Sequence, residues 1–173
     1  MIREEKILVI KDLCGRLPFH VKVAIDFKGY LEMLPDDENL QYPYRKNLKF
    51  ILDRDNKTIE DISKEPNILY AYPCAERFQI LRGYTYELDY GIPIEFIKPY
   101  LRPLSSMTNE EQKEFVQFHC VTLCPVVIDE MLTLDNESNM FDWLNSHHFD
   151  YRGLIEKGLA LEVPEGMYET KTE

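Results

Sequence analysis

The chain is short of the residues on which recognisable chemistry is usually built. Its four cysteines, Cys14, Cys74, Cys120 and Cys124, are too few and too scattered for the disulfide scaffold of a secreted mini-domain. Its seven glycines fall in neither a GxGxxG nor a GxxxxGK[ST] pattern, so no phosphate-cradling loop is read. There is no GxSxG nucleophile elbow, and the many carboxylates form neither an aspartate-rich metal loop nor a paired acid and base. No apolar run approaches the roughly 20 residues that a membrane span needs. The start, Met1 to Lys6, lacks a basic stretch followed by a long apolar run, so no secretory signal is expected. Together these absences lower the expectation of catalysis, give no reason for a cofactor or a membrane, and suit a reducing cytoplasm.

Positive charge is also scarce. The chain carries 20 Lys and Arg against 31 Asp and Glu, a net charge of −11. Residues 1–100 hold 15 basic against 17 acidic side chains, net −2, and residues 101–173 hold 5 against 14, net −9. An acidic C-terminal part repels phosphate backbones, which disfavours nucleic acid, and suits a basic protein partner. The plain alternative is that net charge keeps the protein soluble.

What the chain does have is a seam at Ile97-Lys98-Pro99-Tyr100-Leu101-Arg102-Pro103-Leu104-Ser105-Ser106-Met107-Thr108-Asn109-Glu110-Glu111. Before it, apolar residues recur at every second position; after it, at helical spacing. Two prolines four apart hold the backbone extended and donate to no ladder. Thr108 and Glu111 form a capping box, so a helix is predicted to start at Thr108. The boundary divides a β-rich part, 1–103, from a helical and acidic part, 104–173.

In the first part, Lys6 to Ile10 reads as strand or helical turn, and Asp12 to Pro18 as a brief helical turn. Val21, Val23, Ile25 and Phe27 alternate with polar neighbours as a half-buried strand, and Lys28-Gly29 predicts a hairpin into Tyr30 to Leu34. Further strands are predicted over Leu48–Leu52, Asn67–Tyr72 and Phe78–Leu81, the last two separated by Pro73. Tyr84, Tyr86, Leu88 and Tyr90 alternate cleanly, and Ile92 to Ile97 follows a turn. The expected fold class is α+β: an N-terminal antiparallel β-sheet or small SH3-like barrel, then a C-terminal helical part. In that part Phe115, Phe118, Thr122 and Leu123 make an apolar stripe that Pro125 ends or kinks. Asp135 to Asn139 reads as a loop, a second helix runs from about Ser138 to His147, and Tyr151 to Gly158 reads as a helical turn. Leu159, Leu161 and Val163 alternate as a last strand or extended arm.

Two constellations invite a functional reading. Cys120 and Cys124 stand at i, i+4 beside His119, which with a further histidine (His20, His147 or His148) would begin a metal or thiol centre. The spacing matches no standard zinc pattern, and two small hydrophobes in a helix explain the pair equally simply. Eleven tyrosines form the other. Tyrosine and arginine are enriched at protein-binding surfaces, though tyrosine is also an ordinary strand residue. Tyr84, Tyr86, Tyr100, Arg102, Tyr151 and Arg152 are therefore the candidate protein-binding residues. No catalytic, cofactor or metal residue is assigned. Two alternatives stay open: a small metal-dependent or thiol enzyme using Cys120, Cys124 and a histidine, and a nucleic-acid-associated protein using Lys46, Lys49 and Arg54.

Three segments carry a resemblance: Lys11-Asp12-Leu13-Cys14-Gly15-Arg16-Leu17-Pro18-Phe19 with Val21-Lys22-Val23; Ile97 to Thr108; and Phe141-Asp142-Trp143-Leu144-Asn145 with His147 to Met167. In these the chain resembles a family of uncharacterised proteins from gut Bacteroidetes and their phages and prophages. The matching strings span nearly a third of the chain. The stretch from Pro35 to Phe78 departs from the pattern. The resemblance implies a phage or mobile-element setting; with the missing catalytic motifs, the acidic C-terminal part and the tyrosine-rich sheet, the expectation is a non-enzymatic protein of the bacterial host cytoplasm that docks on a host or phage protein, inhibition of a host defence being one form. The resemblance implies no activity.

Overall fold

A computed structural model describes residues 1–33, 52–53, 56–64, 66–74, 77–82, 85–86, 92–120 and 131–168. The chain divides into two compact units, Met1–Tyr100 and Leu101–Glu173.

The first unit opens with helix α1, Arg3–Arg16, where a strand or a short turn is predicted. Its buried residues, Val9, Asp12, Leu13 and Arg16, recur three and four apart, which is the stripe a helix turns inward. Two of the four are charged, and both are fully buried. The Arg16 guanidinium donates from Nε to Asp12 Oδ2 at 2.7 Å and from Nη2 to Oδ1 at 3.0 Å. A charged pair therefore occupies positions that an apolar pattern would fill, and the pattern is hidden from a hydropathy reading.

A short 3₁₀ turn, Leu17–Phe19, leads into strand β1, Lys22–Ile25. Val21, Val23 and Ile25 are buried, as their alternation predicts. The hairpin predicted at Lys28-Gly29 is not formed: Phe27–Met33 is helix α2. The cause is Asp26, whose carboxylate accepts the N–H of Gly29 at 2.8 Å and whose carbonyl accepts that of Tyr30 at 3.1 Å. A cap satisfied in this way starts a helix where a strand would otherwise turn back. Tyr30 packs its ring 5.6 Å from that of Phe96. Helix α3, Ile59–Lys64, resolves the ambiguous stretch at Thr58 to Ile62. Thr58 and Asp61 exchange backbone bonds, Asp61 Oδ2 accepting from Thr58 N at 2.9 Å and Thr58 Oγ1 from Asp61 N at 3.2 Å.

The remaining strands of the unit are β2 (Asn67–Cys74), β3 (Arg77–Arg82), β4 (Thr85–Tyr86), β5 (Ile92–Pro93) and β6 (Ile97–Leu101), whose last residue opens the second unit. They pair antiparallel in the order β4-β3-β2-β1-β6, with β5 on β3. Strand β2 runs through Pro73 with an irregularity between Tyr70 and Cys74, where an interruption is predicted. The predicted seam is also crossed by a strand. Asp26 N–H donates to the Phe96 carbonyl at 2.9 Å, and Val23 lies opposite Pro99. Counting along the ladder puts the Pro99 nitrogen on the side away from β1, so the missing donor costs no bond to β1.

The described strands form an open sheet, which corrects the expectation of a small SH3-like barrel. Helix α3 packs against β1, and α1 and α2 pack against the 3₁₀ turn Ile94–Phe96. A helix that covers β1 buries apolar strand residues without requiring the strands to close on one another.

The second unit is built on helices α4 (Asn109–Cys120) and α5 (Met131–Ser146), which pack together. The capping box is formed: Glu111 N–H donates to Thr108 Oγ1 at 3.1 Å, and Thr108 N–H to Glu111 Oε2 at 2.8 Å. The loop predicted over Asp135 to Asn139 is helical. Those residues are only moderately poor helix formers, none is Gly or Pro, and the buried side chains of Trp143 and Leu144 hold the helix to its core. Trp143, Leu144 and Phe149 form that core, with Met107, Phe115, Met140 and Tyr151 packed around it.

Past α5 the chain closes a Schellman motif, His148 N–H donating to Asn145 O at 3.1 Å and Phe149 N–H to Leu144 O at 3.0 Å. His148 takes the left-handed position at φ +58° and stacks its ring 3.7 Å from that of Tyr168. Tyr151 to Gly158 is a series of turns where a helical turn is predicted. Asp150 caps it, its carboxylate accepting the N–H groups of Leu154 and Ile155, both at 2.8 Å. The last predicted strand is β7, Leu161–Glu162, held by Val163 N–H donating to Leu101 O at 2.9 Å. No described helix is long and apolar enough to cross a membrane. The strand expected over Leu48–Leu52, apart from Leu52, lies outside the described residues. So do Leu88, Tyr90, Thr122 to Pro125, and the basic residues Lys46, Lys49 and Arg54.

Candidate functional site

Arg102 is the residue around which the second unit is tied. Its backbone N–H donates to His148 O at 2.8 Å, and its carbonyl accepts from Asp150 N–H at 2.7 Å. Its side chain makes a two-pronged pair with Glu111, Nη1 to Oε1 at 2.7 Å and Nη2 to Oε2 at 2.9 Å. Nη2 also reaches Ser106 O at 3.3 Å, and the guanidinium carbon lies 4.2 Å from the centre of the Phe149 ring. One cation thus joins the turn before α4, the first turn of α4 and the turn after α5. The pair is mostly buried, with 20% and 18% of the two side chains exposed. The guanidinium hydrogen bonds, with help from Thr108, hold the Glu111 carboxyl down to about 2.

Beside this hub stands a ladder of rings. Phe141, on α5, is 42% exposed. Its ring centre lies 5.4 Å from that of Tyr151, and the Arg152 guanidinium carbon lies 4.8 Å over the other ring of the pair. Tyr151 is fixed at its far end, its hydroxyl donating to Oδ1 of buried Asn145 at 3.1 Å. The backbone beneath is set by the Asp150 cap and by Gly153 at φ +66°. Lys157 Nζ donates to the carbonyls of Arg152 and Gly153, both at 3.1 Å. A phenylalanine, a tyrosine and an arginine in register on rigid backbone can grip a partner surface by apolar contact and cation–π attraction.

Of the six candidate residues the structure stacks two together, Tyr151 and Arg152, and places Arg102 in the neighbouring hub. Tyr100 sits in β6 at 7% exposure, and burial pushes its hydroxyl pKa up; its ring is packing rather than display. Tyr86 ends β4, and Tyr84 lies outside the described residues. His119 and Cys120 end α4, and Cys124 lies outside the described residues. Among the described residues no group of three His, Cys, Asp or Glu side chains is placed to hold a metal. Cys14 is an exposed thiol whose pKa partial burial pushes up, the opposite of activation.

Two residues of the site escape a sequence reading. Phe141 scores as a core position of an amphipathic helix, and only the fold turns it outward. Glu111 is legible as half of a capping box, but its pairing with Arg102 spans nine positions and a turn. No family model, no curated protein and no solved structure matches the chain.

Proposed function

We propose that this is a non-enzymatic binding protein of phage or prophage origin. It acts in the bacterial host cytoplasm by docking on a host or phage protein, and blocks a host defence when that protein belongs to one. The observation that carries the reading is the Phe141–Tyr151–Arg152 ladder, an exposed phenylalanine with a half-buried tyrosine and arginine stacked beside it on braced backbone. The −9 charge of residues 101–173 supports it, because a strongly acidic unit speeds encounter with basic protein surfaces.

The test is affinity capture from lysate of a gut Bacteroidetes host, with the wild-type protein beside a Phe141→Ala/Arg152→Ala variant of unchanged circular dichroism. The expected result is one host or phage protein retained by the wild type near equal stoichiometry and lost from the variant, a drop of at least tenfold since two hot-spot truncations cost about 2 kcal/mol or more. Equal recovery by both, or recovery of nothing by either, would overturn the proposal.

A further inference from the structure

A second concavity lies in the same unit. It runs between the turn at Arg102 to Ser106 and the segment from Glu162 to Tyr168, with a volume of about 380 Å³. That falls in the range of roughly 300–1,000 Å³ that pockets for small ligands or a few side chains occupy. Its chemistry is divided. Val163, Pro164 and Met167 contribute apolar wall. Glu162 and Glu165 lie on the same lining and are exposed.

Among the described residues its one lining cation is Arg102. That guanidinium already spends its fork on Glu111 and a further bond on Ser106 O. An anionic ligand therefore meets two carboxylates and a neutralised arginine. A cationic group meets two carboxylates with no unpaired lining cation among the described residues to oppose them. The apolar wall adds a second requirement, a hydrocarbon side chain next to the positive one, which a free polyamine or metal ion does not carry.

We infer that this groove takes an extended basic segment of a partner protein, with a lysine or arginine against Glu162 and Glu165 and an adjacent aliphatic residue against Val163, Pro164 and Met167. The inference rests on the proposed binding role and names the chemistry of the partner that role requires. The His148 ring stacks on Tyr168 and so braces the segment that forms one wall. The groove is thus partly built before the ligand arrives, which reduces the ordering cost of binding.

The probe is a fluorescein-labelled heptapeptide, Gly-Lys-Leu-Lys-Leu-Lys-Gly, followed by anisotropy at 0.05 and 0.3 M salt. Three controls accompany it: the same peptide with glutamate for lysine, the same with serine for leucine, and free spermidine as competitor. The wild type is expected to bind the basic apolar peptide, more weakly at the higher salt, and to ignore the acidic one. Glu162→Gln/Glu165→Gln should weaken binding roughly three- to thirty-fold, the effect of losing two exposed charge pairs. Glu114→Gln/Glu156→Gln removes the same charge from exposed positions outside the groove and should leave affinity unchanged.

Equal loss in both double variants would reduce the binding to net-charge attraction and overturn the inference. Serine peptide binding as well as leucine peptide, full displacement by equimolar spermidine, or no binding at all would do the same. Such a failure leaves capture through Phe141 and Arg152 standing, so the two proposals fail separately.

Discussion

At the scale of single residues, the side chains that matter most are charged and mostly buried. Arg102 and Glu111 form a two-pronged pair at 2.7 and 2.9 Å, and its consequence is an acid sensitivity of known sign. The folded carboxyl titrates at about 2, below the ordinary 4.5. A depressed acid contributes stability that is fully present above the unfolded pKa and is lost as pH falls through the folded one. Unfolding free energy should therefore drop between about pH 4.5 and 2 by an amount on the order of 1–3 kcal/mol from this group alone. Glu111→Gln should lower stability at pH 7 and flatten that part of the curve. Urea titrations of both proteins at pH 7, 4.5 and 2.5 check this, and parallel curves would contradict it. Arg102→Lys should behave much like the loss of the pair, since an ammonium cannot reproduce the fork.

The elements show where local sequence decides and where it is overruled. The box at Thr108 and Glu111 was legible because both of its bonds lie within one turn of chain. Helix α2 was not. Alternation from Val21 to Phe27 followed by Lys28-Gly29 is a sound hairpin signal, but Asp26 turns the chain into a helix by accepting from Gly29. Helix α1 is hidden from the sequence pattern for another reason. Its inward stripe includes Asp12 and Arg16, so the apolar period is broken where the helix is most buried. The polar composition in the middle of α5 predicts a loop, yet packing of Trp143 and Leu144 outweighs a propensity deficit of a few tenths of a kcal/mol per residue.

Gly29 gives a test against common expectation. Alanine in place of a helical glycine ordinarily stabilises by up to about 1 kcal/mol. Here a Cβ would overlap the Asp26 carboxylate and displace the cap. Gly29→Ala should therefore destabilise by about 1 kcal/mol, comparable to Asp26→Ala, and the two should not add. Thermal denaturation of the three variants decides it, and a raised midpoint for Gly29→Ala would refute the capping account.

For the molecule as a whole, charge and chemistry are unevenly divided between the two units. The first carries −2 and an open sheet with a helix packed on its strand β1; the second carries −9, the arginine hub, the ring ladder and the acidic groove. The switch from alternating to helical periodicity was readable from sequence because period is a property of neighbouring residues. The site was readable only in its residue types. Tyr151 and Arg152 could be named as binding residues, but the companion ring of Phe141 comes from another element and is brought beside them by the fold alone. The ladder's role as the docking face is tested most directly by hydrogen–deuterium exchange on the purified protein and on its complex with the captured partner. The account predicts slowed exchange concentrated in residues 139–153, with smaller effects at 162–168. Protection confined to residues 67–82 of the sheet, with 139–153 unchanged, would contradict it.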